Sequence, residues 1–270
     1  MKKIKLLTLA LLATGLAAGA QAPSIPFAKG KTYTVEQKLS TNATTTVMGN
    51  DTKSEMDLIT TFNVTVADVK DGNAQLNNMI TSMKIEMEQM NQKIKYDSED
   101  SADKDNPMAV MINDVLNKPF KVTVGSNGKL LEVDSFTLDD PQFSSMEAGG
   151  YGTEAVFQPL PAKIKAGDKW VDSLNLQNDS RIINYEVESV NGNIVNLKFT
   201  GTQKTSKKVE AQGMTFDTNT NGTFEGKSVV DKTNGVIQSS EIKSNLTGTV
   251  SGMGMEFPLV SKIKIETKLK

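Results

Sequence analysis

The side chains best able to do chemistry in this chain of 270 residues are thioethers and carboxylates, because it has no cysteine and no histidine. Four methionines, Met79, Met83, Met87 and Met90, stand at steps of four, four and three in "MITSMKIEMEQM". Thioethers can hold Cu(I), but such sites draw much of their strength from thiolate or imidazole partners, which are missing here. Triads built on His or Cys are excluded for the same reason, and zinc would have to rest on carboxylates alone. Carboxylates are the one catalytic route left. Asp139 adjoins Asp140, and Asp97, Glu99, Asp100, Asp103 and Asp105 form a second acidic run. Glycosidases work with carboxylate pairs. Sugar sites usually add aromatic platforms, however, and Trp170 is the only tryptophan. The acidic run also lacks the spaced aspartates and distal glutamate of a calcium loop. No phosphate-binding loop is present, and "AGGYG" at 148–152 does not lead a strand into a helix. The expectation is a non-enzyme without catalytic residues, metal or cofactor.

The methionines then act through packing. On a helix the four would fall within about 80° of arc. On a strand Met83, Ile85 and Met87 share one face while Lys84, Glu86 and Glu88 share the other. Ile85 favours the strand, with a bulge near Thr81–Ser82 and a turn near Met90–Gln92; the helix is the alternative.

The elements around this stretch read as a long antiparallel meander. Asp71-Gly72, Asn127-Gly128, Asn191-Gly192 and Asn234-Gly235 each sit between apolar alternations, as tight hairpins require. Weaker turn signals fall in "VMGNDT" and "TVSGMGME". One segment differs: in "NPMAVMINDVLNKPF", Asn106 suits an N-cap and Pro107 the first helical position. Met108, Met111, Ile112, Val115 and Leu116 recur with helical spacing, so a short amphipathic helix is expected over about 107–117, lying on the sheet. "YDSEDSADKDN" and residues 140–161, rich in Gly and Pro, read as loops.

The order of these signals repeats. "KGKTY", "FNVTVADVKDGNAQL" and "FKVTVGSNGKLLEV" are answered by "AGDKW", "INYEVESVNGNIVNL" and "GKSVVDKTNGVIQSS". The fold class expected is mainly β: a long curved antiparallel sheet, meander or half-barrel, from two duplicated halves at 21–139 and 162–270. Tyr33 and Trp170 are expected to anchor the first strand of each half in the core.

Residues 1–20 read as a signal peptide: Lys2, Lys3 and Lys5, an apolar middle, then "AGA", with cleavage after Ala20. The product is expected in the periplasm or secreted, with no transmembrane segment and no lipid anchor, since no cysteine is present to acylate. The net charge of −2 is spread along the chain, which disfavours nucleic acid as a partner.

Thirteen methionines are many for a chain with few aromatics. Flexible thioethers suit adaptable apolar surfaces. Met83, Ile85, Met87, Met108 and Met111 are therefore the candidate lining of a site for a lipid or other apolar ligand. The alternative is a filled core in an envelope protein that engages a protein partner or serves structure.

The signal peptide, "YDSED", the helical segment, "LPAKIKAGDKW" and "TNGVIQSSEIK" together resemble a family of exported bacterial envelope proteins whose shared domain has no known function. That resemblance implies location and no mechanism. A looser likeness of fold is to the half-barrels of periplasmic lipoprotein carriers and lipid-binding envelope lipoproteins, which implies a sheet able to hold apolar cargo.

Overall fold

The computed structural model describes residues 22–270 apart from 48, 90–91, 105, 114, 134–152, 177–178, 212–213 and 253. The expected signal peptide, most of the 140–161 connector, Met90, Asp139 and Asp140 lie outside the described residues.

Twelve strands make one antiparallel sheet: β1 (Thr32–Val47), β2 (Asn50–Lys70), β3 (Asn73–Gln89), β4 (Gln92–Asp97), β5 (Phe120–Val124), β6 (Leu130–Val133), β7 (Lys169–Leu176), β8 (Asp179–Asn191), β9 (Ile194–Ala211), β10 (Met214–Asp231), β11 (Val236–Gly252) and β12 (Met255–Leu269). The order is β6-β5-β3-β2-β1-β12-β11-β10-β9-β8-β7, open at both ends, with β4 paired to β3 off that path. The chain crosses the sheet in one direction from β7 to β12, and β1 to β6 continue the same progression. The two stretches join where β1 pairs with β12 from Val35↔Leu269 to Thr45↔Leu259. They are consecutive parts of a single sheet.

Turn chemistry sets the hairpins. Asp71 and Gly72, both at positive φ (52° and 80°), connect Lys70 to Asn73 as a two-residue loop of the primed type. Residues 79–89 are strand, and the bulge falls where expected: Ile80 faces Phe62 and Ser82 faces Thr61, leaving Thr81 as the extra residue. The bulge also puts Met79, opposite Asn63, on the other face from Met83, opposite Thr60. The four methionines therefore do not line one face.

Alternation gives the sheet two unlike faces. One bears Val35, Leu39, Phe62, Ile85, Ile265, Ile242, Phe224, Phe199 and Tyr185 in register across the strands; the other bears Lys84, Lys38, Glu266, Glu241, Lys227, Lys198, Glu186 and Lys169. Between β10 and β11 the strands approach too closely for side chains on the apolar face: a Cβ on Gly222 or Gly248 would meet the carbonyl oxygen of Asn245 or Asn219. Glycine at such points is how a sheet is sharply bent.

Three buried clusters occupy the apolar face. Val35, Phe62, Val64, Val66, Leu76 and Val122 lie beneath Ile25, Val156 and Phe157. Val187, Leu197, Phe199, Phe224 and Ile237 group with Leu160. Leu58, Met83, Ile85 and Tyr96 group with Ala109 and Ile112. Full burial of such a side chain contributes roughly 1.5–3 kcal/mol. The described end of the connector differs from the loop expected there: after the short helix α2 (Thr153–Val156), Phe157 and Leu160 are buried, because they supply the cover these clusters need.

Ala109 and Ile112 come from the seven-residue helix α1 (Pro107–Asn113), whose N-cap Asn106 accepts a hydrogen bond from Met108 N–H at 3.0 Å. The helix is shorter than the expected 107–117. Asn117, at φ 59°, leaves helical backbone and donates its N–H to the Ile80 carbonyl at 2.8 Å, tying the exit to β3. Among the described residues no helix is long and apolar enough to cross a membrane.

Candidate apolar binding face

The sequence-predicted lining residues have different surroundings. Met83 and Ile85 are 1% and 4% exposed, packed with Leu58 and Tyr96 and covered by Ile112. Met108 is partly buried against the same cluster. Anything that touches Met83 must first displace α1. Met87, one step further along β3, is only half-buried and packs against none of the three clusters. The side chain of Met111 lies outside the described residues.

Beyond the reach of α1 the apolar face continues toward the hairpin tips. Met87 lies opposite Met56 and Ile94; Met56 opposite Thr41, Thr41 opposite Ile263, and four residues back along β12, on the same face, is Leu259. Met56, Ile263 and Leu259 are half-buried, Ile94 is 37% and Met255 40% exposed, and none of them belongs to the buried clusters or packs against them. This is apolar surface on strands, outside the three buried clusters. Met56, Ile263 and Leu259 were missed in the sequence. The alternation in "MDLITTF" and "PLVSKIKI" carries the signal, but their phase becomes readable only through cross-strand register.

A depression of about 610 Å³ lies on the opposite face. Its rim is charged: Glu186 takes Lys169 and Lys198, each at 3.1 Å, and Glu241 takes Lys243 at 2.9 Å and Lys264 at 3.2 Å. Hydrogen bonds from those lysines hold both carboxyls below the usual glutamate range. The charges answer one another across strands, which keeps this face in water and pins register. The depression therefore has a structural account without a ligand, and the apolar face is the better candidate.

Charged side chains interrupt the apolar face near its β7 end: Asp172, Asp179, Arg181 and Lys207. Arg181, the only arginine in the chain, shares its face of β8 with Ile183, Tyr185 and Val187. Its Nη2 donates to Asp179 Oδ2 at 2.7 Å, the two side chains being 22% and 15% exposed. Thr205 Oγ1 donates to the other oxygen of Asp179 at 3.4 Å. The sequence reading passed over this residue, although "RIINYEV" already sets it in phase with the apolar side chains. Among the described residues no group of His, Cys, Asp or Glu is arranged to hold a metal ion.

Comparison with known proteins adds a family and a fold. The model of a family of unknown function, DUF6263, matches residues 71–148 and 151–237, together more than half of the chain. No curated protein matches the sequence. A lipovitellin structure, titled for its lipid–protein interactions, superposes with a TM-score of 0.54 at 11% identity, covering 90% of this chain and 25% of the other. This chain thus spans about a quarter of that protein. An outer membrane channel from Pseudomonas putida F1 has a TM-score of 0.29 at 7% identity, covering 93% and 98%.

Proposed function

The chain belongs to DUF6263, a family of unknown function, and for this member we propose export and the non-enzymatic binding of a lipid or other apolar ligand on the uncovered part of its sheet. One observation carries the proposal: Met56, Met87, Leu259 and Ile263 form apolar surface on the strands, outside the three buried clusters. Apolar surface left outside the core is a feature of binding sites. The shared fold with lipovitellin, whose title concerns lipid–protein interactions, supports the same reading. In it Met83, Ile85 and Met108 form the wall against which the ligand ends, and Met87 is the first of the original set to touch it.

Native mass spectrometry of the protein, exported through its own signal peptide and purified without detergent, tests this. A reproducible extra mass removed by organic extraction is expected. A bare mass that persists after incubation with oleate and with phospholipid vesicles would overturn the proposal. A second reading, a protein partner in the envelope, has its own observation. Edge strand β7 and its neighbour expose Val171 (64%) and Ile182 (53%) on the otherwise charged face, as an unguarded edge would. Cross-linking at residue 171 that captures nothing in the envelope would remove that reading.

A further inference from the structure

Resting on the apolar-ligand reading, we infer that Arg181 is the headgroup anchor of the site, and that the ligand is an amphiphile with an acidic headgroup, a carboxylate or a phosphate. The choice of residue is the first argument. Every other cationic side chain in the chain is lysine, and on the described strands all of these but Lys207 lie on the charged face. The single arginine is placed on the apolar face. Away from water a guanidinium suits this task better than an ammonium: it is weakly hydrated, stays protonated, and presents a planar fork matched to carboxylate and phosphate oxygens.

The second argument is cost. An ion pair only 22% and 15% exposed loses hydration that its own attraction seldom repays, so packed apolar residues would serve stability at least as well. The arrangement instead holds the guanidinium in one orientation. Asp179 takes Nη2 at 2.7 Å, and Thr205 fixes Asp179 from β9. Asp179 is thus a positioning residue and Arg181 the contact. Their neighbours suit an amphiphile: Leu174 and Gln203 lie directly opposite Arg181 on β7 and β9, and Ile183 is next on the same face. An acyl chain leaving the headgroup here would run across β9 to β12 toward Ile263.

Four probes separate the possibilities: oleate, oleyl alcohol with the same chain and no charge, oleoyl lysophosphatidic acid, and inorganic phosphate alone. Wild type is expected to bind oleate or the lysophosphatidic acid more tightly than the alcohol, and whichever acid is favoured identifies the headgroup. In Arg181→Met that preference should vanish, with the acid weakened about ten- to a hundredfold, the worth of a charge-assisted hydrogen bond, and the alcohol unchanged. Arg181→Lys should recover part of it. A variant that unfolds would be recognised by its loss of alcohol binding, and Arg181→Lys then carries the test through the acid-to-alcohol ratio. Equal binding of acid and alcohol by wild type, or an unchanged ratio in Arg181→Met, would overturn the inference and leave the carrier reading intact. Phosphate bound without a chain, as tightly as the lysophospholipid, would also overturn it. If no oleyl compound binds at all, the underlying proposal fails.

Discussion

The apolar face is sealed in one region and open in another, although the strands run without a break between them. Around Met83 and Ile85 the helix α1 lies over the sheet, and those two side chains are 4% exposed or less. Around Met56 and Met87 the same face, on the same strands, is only half-buried. Composition does not separate the two, since methionine and isoleucine occur in both. What separates them is whether the chain sends another element across, so burial here is a property of the cover and not of the strand.

The sharpest way to break that comparison is to put a charge at matched sites. Met83→Asp leaves an unpaired carboxylate under α1 and should cost about 4 kcal/mol or more in urea unfolding, enough to threaten the fold. Met87→Asp, two steps along the same strand, should cost under about 1 kcal/mol while abolishing lipid retention. Equal losses of stability would mean that the open region is covered too. Next comes Ile112→Ala, which removes the fully buried contact of α1 and should cost about 2–5 kcal/mol. Gly222→Val, which forces a side chain into the Asn245 carbonyl, should cost about 1–3 kcal/mol, the usual toll of overpacking; a neutral effect would show that the bend between β10 and β11 is slack. Asn106→Ala takes the cap from α1 and should cost about 1 kcal/mol. Faster amide exchange confined to α1 and its contacts on β3 would sharpen the cover argument.

The smallest effect is electrostatic. The Glu99 N–H, and then Lys84, hold the Asp97 carboxyl below its ordinary value of 3.8. A lowered folded value means the contribution is present above that ordinary value and lost as pH falls through the folded one. Urea midpoints should therefore decline below about pH 4, more shallowly in Asp97→Asn than in wild type.

Much of this was legible in the sequence, because turns and alternation are local. Asp71-Gly72 and Asn191-Gly192 mark hairpins by backbone chemistry alone, and the bulge near Thr81 was expected from the change of phase along the strand. The seat of α1 was readable from Asn106 and Pro107. The rest depends on distant partners. Nothing near Leu39 announces Ile265 as its neighbour, and nothing in the connector shows that Phe157 will close a cluster with Val35 and Val64. The candidate site divided along the same line. Met83 and Met87 look equivalent on the strand, and only the reach of α1 makes one a wall and the other a surface.

The seam between β1 and β12 bears on how the molecule is made. β1 finds β2 across a two-residue loop as soon as both have been made, but its other edge waits for the fifteen residues of β12 at the far end of the chain. Until then the middle of the future sheet is two raw edges, one on β1 and one on β11. Long-range pairing of this kind is slow to form, and unpaired edges are templates for the wrong neighbour. A chain stopped short of Met255 would therefore not lose a peripheral strand. It would come apart at its centre into two smaller sheets, each with an unpaired, sticky margin.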